Sequence, residues 1–151
     1  MDVLTVTESW LSGDYHGNNT IAEILNTLKD YDFHHVPRAN RTGGGVAVFL
    51  RKNFKVSQIP CQPFSSMEYM DLAISYLKSS IRLITIYRPP QSKKNQSNLA
   101  NFVQEFSTLL ETVSLSSGYL LLNGDFNFHM DSPDDRNASI STEIFWSKTT
   151  R

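Results

Sequence analysis

Two carboxylate residues, Glu8 and Asp125, each follow a short apolar run and could take part in metal chemistry. Glu8 comes after residues 3–6, and Asp125 comes after residues 119–122. If both runs are strands that end at the same edge of a sheet, the carboxylates would repel each other unless a cation lay between them. Oxygen ligands without any cysteine suit Mg²⁺ or Mn²⁺. A structural role is the alternative, because Glu8 could cap a turn and Asp125 could hold a glycine-containing turn.

Three further side chains are suited to contact with a phosphodiester. Asn127 lies two residues after Asp125, so both side chains point to the same side of an extended backbone, and the amide could donate to a phosphate oxygen. Tyr87 and Arg88 end another apolar run, directly before two prolines. Arginine can contact a phosphate through two parallel hydrogen bonds. The alternative is a strand stopped by proline that carries an exposed arginine.

The composition is typical of one globular domain. The chain has 151 residues, of which 40% are hydrophobic and 19% are charged, so a hydrophobic core can form and a disordered tail is excluded. Cys61 is the only cysteine, which excludes an internal disulfide and a cysteine-based zinc site. No apolar run approaches the roughly 20 residues of a membrane span, and the acidic opening is unlike a signal peptide. We therefore expect an intracellular protein outside the membrane.

Charge is distributed unevenly along the chain, although the net charge is only −1. Residues 33–104 hold ten basic and two acidic residues, a net charge of +8, whereas the rest holds four basic and thirteen acidic residues, a net charge of −9. One interpretation is a basic surface for a polyanion beside an acidic site for a cation. The other, which charge alone favours, is an ordinary solvated surface.

Hydrophobic periodicity predicts a mixed α/β domain. Apolar residues at helical spacing predict one helix capped at Asn19 or Thr20 and a second helix from Leu99 to Val113. Strand-like runs cover residues 3–6, 33–36, 46–50, 55–59, 70–77, 81–87 and 119–122. The turn at residues 78–80 predicts a hairpin. A weak helix is expected at residues 141–146. Interleaved hairpins and helices favour a mixed sheet over a purely parallel one.

Four motifs in this order resemble the endonuclease domain of LINE-type (non-LTR) retrotransposons, which belongs to the endonuclease/exonuclease/phosphatase superfamily. They are TESWL at residues 7–11, RTGGGVAVF at 41–49, YRPP at 87–90 and LNGDFNFH at 122–129. The glycines at residues 43–45 lack the Gly-Lys-Ser/Thr of a P-loop, so we expect them to permit close backbone packing. The resemblance covers residues 2 to about 135 and fades beyond them.

The resemblance implies a two-layer β-sandwich of mixed sheets flanked by helices, and hydrolysis of DNA supported by Mg²⁺ or Mn²⁺. Glu8 matches the metal-ligand glutamate, and Tyr87 matches the tyrosine that contacts the scissile phosphate. Asp125 and Asn127 match the pair that positions the nucleophilic water and the phosphate. Arg88 is a weaker candidate for contact with the DNA backbone. DNA is the expected partner, with no membrane and no obligate protein partner, and the nucleus is the expected location.

Some parts of the family pattern are missing from this chain. The N-terminal strand with its asparagine and the later Ser-Asp-His motif are absent, so we expect an incomplete domain at residues 1–135 and a divergent polar tail at residues 136–151. The expected function is a Mg²⁺-dependent DNA endonuclease-like domain of retrotransposon origin. Because half a metal site binds its ion weakly, a non-catalytic remnant or nucleic-acid-binding module is the alternative. A third, disfavoured option is a phosphoesterase acting on lipids or inositol phosphates.

Overall fold

The computed structural model describes residues 1–12, 14–38, 43–90, 98–116 and 118–128. The described elements, in chain order, are β1 (Val3–Thr7), α1 (Tyr15–Thr27), β2 (Tyr31–Val36), β3 (Val46–Arg51), β4 (Lys55–Ile59), β5 (Glu68–Tyr76), β6 (Ser79–Tyr87), α2 (Leu99–Ser114) and β7 (Tyr119–Asp125). The helix expected at residues 141–146 and the domain boundary expected at residue 135 lie outside the described residues.

The strands form two sheets. The first has the order β1-β3-β2 and is antiparallel throughout. The second has the order β4-β5-β6-β7, in which β6 and β7 are parallel and the other pairs are antiparallel. This mixed two-layer arrangement with flanking helices confirms the predicted fold class.

Alternating side chains build a core on each face of the second sheet. One cluster joins β3 of the first sheet to β5 and β6 of the second: Val46, Val48, Leu50, Met70, Leu72, Ile74, Leu83 and Tyr87. The opposite face of β5 and β6 is covered by α2 in a second cluster: Met67, Tyr69, Ile84, Ile86, Phe102, Phe106, Leu109 and Val113. Successive side chains of β5 and β6 point to opposite faces of the sheet, so the same two strands contribute to both clusters.

Helix α1 begins earlier than the sequence pattern predicts. Its N-cap is Asp14, whose Oδ1 accepts a hydrogen bond from the backbone N–H of Gly17 at 3.0 Å. The predicted caps, Asn19 and Thr20, lie inside the helix. The first turn has no apolar periodicity, so only the capping carboxylate marks the start. The second helix matches its predicted span and is capped by Asn98.

The hairpin between β5 and β6 is confirmed, with its turn one residue earlier than expected. Tyr76 pairs with Ser79, so the two turn residues are Leu77 and Lys78. Strand β7 exists as predicted but pairs only through β6 within the described residues. Its first three residues are exposed as a result. No helix in the described ranges combines the length and the apolar character needed to cross a membrane.

Candidate active site

The two sheets are joined at one end of the sandwich by a hydrogen bond between Tyr87 and Glu8. Tyr87 is the last residue of β6 and is only 3% exposed. Its hydroxyl donates to Oε1 of Glu8, which directly follows β1 in the other sheet. A second bond links the sheets nearby, since Nδ2 of Asn123 donates to Oγ1 of Thr5 at 2.9 Å. The end of β1 therefore meets the end of β6.

Asp125 is brought to the same end by the parallel pairing of β6 and β7. Tyr87 and Asp125 are aligned partners in this pair, and the backbone N–H of Arg88 donates to the carbonyl of Asp125 at 2.8 Å. The Tyr87–Glu8 hydrogen bond and the pairing of Tyr87 with Asp125 therefore bring these three predicted site residues to the same end of the sandwich.

The loop after Asp125 is held by side-chain hydrogen bonds. Oδ1 of Asp125 accepts from the backbone N–H of Asn127 at 2.9 Å, and Nδ2 of Asn127 donates to the carbonyl of Arg88 at 2.7 Å. Asn127 has φ 49, a left-handed conformation that asparagine tolerates better than most residues. One amide hydrogen of Asn127 is thus used in a bond within the protein. Asp125 and Asn127, the two predicted site residues of this loop, also hold its conformation.

Arg88 is buried beside this loop. It is 3% exposed, and its guanidinium carbon is 5.0 Å from the ring centroid of Phe102 and 4.5 Å from that of Phe128. Its NH1 group donates to the carbonyl of Phe126 at 3.1 Å. A buried guanidinium between aromatic faces is stabilised as a cation–π contact. These contacts hold Arg88 against the loop, and its expected contact with the DNA backbone stays a prediction.

A partly buried ion pair between Arg38 and Glu68 also belongs to this region, and sequence reasoning missed it. Glu68 begins β5 and is aligned with Tyr87 across the sheet. Its carboxylate pairs with Nε of Arg38 and accepts from the backbone N–H of Gly45, the latter at 2.6 Å. The guanidinium of Arg38 lies 5.7 Å from the ring centroid of Tyr87. Only the register of β5 against β6, which the sequence does not state, could have revealed this pair.

The glycines before β3 make room for that ion pair. A β-carbon on Gly44 would lie 2.7 Å from Cζ and Nε of Arg38, and Gly44 has φ +72. The backbone conformation therefore favours glycine, and a β-carbon would displace the Arg38–Glu68 pair. This finding agrees with the expected role of the glycines in close packing.

Part of the positive charge of residues 33–104 is engaged within the protein. Arg38 pairs with Glu68, Arg82 pairs with Asp71 at 2.6 Å, and Arg51 pairs with Asp2 at 3.3 Å, while Arg88 is buried. Four of the ten basic residues are therefore not free to form a surface for a polyanion. Glu68 and Asp71 are already counted in the net charge of +8, so of these four residues only Arg51, paired with Asp2, and the buried Arg88 lower the charge that could face DNA.

The Glu8–Tyr87 pair sets the protonation state of both groups. Hydrogen bonds from Tyr87 and then from Trp10 hold the pKa of Glu8 below its ordinary value, although partial burial opposes them. Burial and the neighbouring carboxylate raise the pKa of Tyr87 far above its usual range. At neutral pH the site therefore presents an ionised Glu8 and a protonated Tyr87.

The donor set fits a hard divalent cation held by few protein ligands. Glu8 offers an exposed, ionised carboxylate, and the carboxylate of Asp125 is also exposed. Among the described residues, no group of three or more His, Cys, Asp or Glu side chains could hold a metal ion. Magnesium commonly uses one or two carboxylates and completes its shell with water and substrate phosphate. The chemistry of these residues therefore suits Mg²⁺ better than an ion that needs a full protein cage.

Tyr87→Phe is expected to raise the pKa of Glu8 toward its ordinary value of 4.5, because the phenol no longer stabilises the carboxylate. Because the pKa of Glu8 is lower in the folded protein, the bond stabilises the fold at pH values above the pKa of Glu8 in the unfolded chain. This stabilisation is lost as the pH falls through the pKa of Glu8 in the folded protein. A ¹³C NMR titration of the glutamate carboxyls measures the shift. Tyr76→Phe, which alters a half-exposed tyrosine at the far end of β5, serves as the control. An unchanged Glu8 titration in Tyr87→Phe would contradict the assigned bond.

Acidic and amide side chains are thus gathered at one end of two packed β-sheets. The chain belongs to the endonuclease/exonuclease/phosphatase family, whose family model matches residues 1–150. No curated protein sequence matches the chain. The match to the family model confirms the resemblance predicted from the sequence.

Solved structures show the same fold at low sequence identity. The endonuclease domain of TRAS1, a telomere-specific non-LTR retrotransposon, has a TM-score of 0.61 at 12% identity, covering 97% of this chain and 72% of that domain. A family protein from Bacteroides thetaiotaomicron has a TM-score of 0.62 at 14% identity, with coverage of 98% and 55%. D. rerio TDP2 complexed with a single-strand DNA product has a TM-score of 0.56 at 15% identity, with coverage of 93% and 52%. The chain thus spans about half the length of the latter two.

Proposed function

We propose that this chain is a Mg²⁺-dependent DNA endonuclease-like domain derived from a non-LTR retrotransposon. The observation that carries the proposal is the meeting of Glu8, Tyr87, Asp125 and Asn127 at one end of the sandwich, joined by hydrogen bonds and strand pairing. These four residues come from three separate sequence motifs, at residues 7–11, 87–90 and 122–129. Action on chromosomal DNA would place the protein in the nucleus.

Each residue has a distinct proposed role in hydrolysis of a phosphodiester. Glu8 would hold Mg²⁺ through its ionised carboxylate, and the bound ion would supply stabilisation of negative charge on the phosphate oxygens. Tyr87 stays protonated, and its single hydroxyl proton, which is donated to Glu8 here, would be donated to the phosphate once the Glu8 carboxylate holds Mg²⁺. Asp125, at the end of β7, would orient the attacking water and accept its proton. Asn127 would contact the phosphate while keeping the loop bonded to Arg88.

Nicking of supercoiled plasmid tests this proposal. The purified chain is incubated with plasmid in Mg²⁺ and, in parallel, in EDTA. We expect conversion to the open-circular form in Mg²⁺ only, because the carboxylates alone cannot offset charge on the phosphate. Turnover of a lipid or inositol phosphate with no plasmid nicking would instead place the chain in another branch of the family.

One observation favours a second candidate, a nucleic-acid-binding module without catalysis. Among the described residues no group of three or more His, Cys, Asp or Glu side chains could hold a metal ion, so this part of the chain offers few metal ligands. This candidate predicts salt-sensitive DNA binding without nicking at any Mg²⁺ concentration. A folded sample that binds plasmid and leaves it supercoiled would replace the endonuclease proposal with this one.

A further inference from the structure

Trp10 is an exposed aromatic residue at the edge of the proposed active site. It is 69% exposed, which is unusual for the largest apolar side chain. Its Nε1–H donates to Oε2 of Glu8 at 3.3 Å, while Tyr87 donates to the other oxygen of the same carboxylate. The indole and the phenol therefore flank one carboxylate.

The backbone holds the indole in this exposed position. The N–H of Trp10 donates to the carbonyl of Gly44 at 2.9 Å, and a β-carbon on Gly43 would lie 3.4 Å from Cη2 and Cζ2 of the ring. Glu8 and Trp10 have φ 53 and 55, a left-handed conformation that is an outlier for bulky residues. Strain of this kind persists where the surrounding structure enforces it, and it concentrates at functional sites.

We propose that Trp10 is a stacking surface for a nucleobase beside the scissile phosphate, so that the site prefers DNA with an unpaired base at that position. The inference rests on the proposed function, since it takes the phosphate to lie against Tyr87 and Glu8. Trp10 and Tyr87 contact the two oxygens of the same Glu8 carboxylate. The base of a nucleotide whose phosphate lies there would therefore be within reach of the indole ring. Every base has a π-face, so stacking gives affinity without sequence preference.

The indole suits this role better than a role in packing the protein interior. Its only hydrogen-bonding group is already used on Glu8, so the exposed remainder of the ring is apolar. A base that stacks on the ring removes apolar surface from water on both partners. A paired base inside a duplex is already stacked on its neighbours and would have to leave them first.

Oligonucleotide binding in EDTA tests the inference without hydrolysis. In a Trp146→Phe background, Trp10 is the sole tryptophan, so its fluorescence reports stacking directly. A short oligothymidylate is compared with an oligomer of the same length and charge that lacks its bases. We expect thymidylate to quench Trp10 and to bind about tenfold more tightly than the abasic oligomer.

Three variants, made in the parent chain and followed by the anisotropy of labelled oligomers, separate stacking from other effects. Trp10→Ala should remove the base preference, and Trp10→Phe should retain most of it because the π-face remains. Tyr119→Ala removes another exposed aromatic side chain, 75% exposed at the opposite end of β7, and should leave the preference unchanged. Equal affinity for the two oligomers in the parent chain, a preference that survives Trp10→Ala, or no binding of either oligomer would each overturn the inference. Base preference without plasmid nicking would instead reject the proposed catalysis and keep the stacking surface.

Discussion

Asp125→Asn is expected to slow Mg²⁺-dependent plasmid nicking by at least about 100-fold, the range typical for loss of a positioned acid–base group. The amide retains an oxygen that can accept the Asn127 backbone N–H, now bonded to Oδ1 at 2.9 Å, so the loop should keep its shape. What is lost is the negative charge that would orient and deprotonate the attacking water. Initial nicking rates and thermal unfolding, measured on the same preparation, separate lost chemistry from lost fold.

Asp2→Asn is the matched control for this prediction. Asp2 is also an exposed aspartate, but it lies at the opposite end of β1 from Glu8, where it pairs with Arg51 at 3.3 Å. Exposed ion pairs contribute little to stability, so nicking and unfolding should both stay near the parent values. If Asp125→Asn nicks DNA at the parental rate, Asp125 takes no part in the chemistry. If neither chain nicks but both bind DNA, the binding-module hypothesis is favoured.

Much of the fold could be predicted because its strands carry clear local patterns. The large apolar residues Met70, Leu72 and Ile74 at every second position identify β5, and the continuous apolar run of β3 identifies a strand that is buried between two others. Glu8 and Asp125 were expected at one edge of the same sheet, but their strands lie in different sheets, and Glu8 is bonded to Tyr87 of β6 instead.

What the sequence did not reveal depends on register and on backbone conformation. Glu68 contributes to the site because β5 aligns it with Tyr87, and a shift of one residue would have turned it to the other face. The positive φ of Trp10 could not be predicted, because the sequence of residues 7–11 is that of an ordinary polar loop. Arg88 was expected at the surface because a guanidinium is usually solvated, whereas the aromatic rings of Phe102 and Phe128 and the carbonyl of Phe126 favour its burial.

Gly124→Ala is expected to destabilise the chain by about 3 kcal/mol or more, because it combines backbone strain with a clash in the core of the sheet. Gly124 has φ +145, and a β-carbon there would lie 1.8 Å from the carbonyl oxygen of Ile86. The obstructing atom belongs to the backbone of the paired strand, so no side-chain rotation can relieve the contact. Chemical denaturation of the parent and variant measures the change in free energy of unfolding.

Gly118→Ala provides the comparison that isolates the clash from the strain. Gly118 also has positive φ, +102, but its nearest neighbour, the carbonyl oxygen of Ser80, would be 3.4 Å from a β-carbon. This variant should lose only about 1 kcal/mol, the lower range for a strained backbone. Because Gly124 precedes Asp125 and pairs with the residue before Tyr87, Gly124→Ala should also separate the site residues and abolish nicking at temperatures where the chain remains folded. Equal stability losses in the two variants would mean that β7 does not pair with β6 in the register that brings Asp125 to Tyr87.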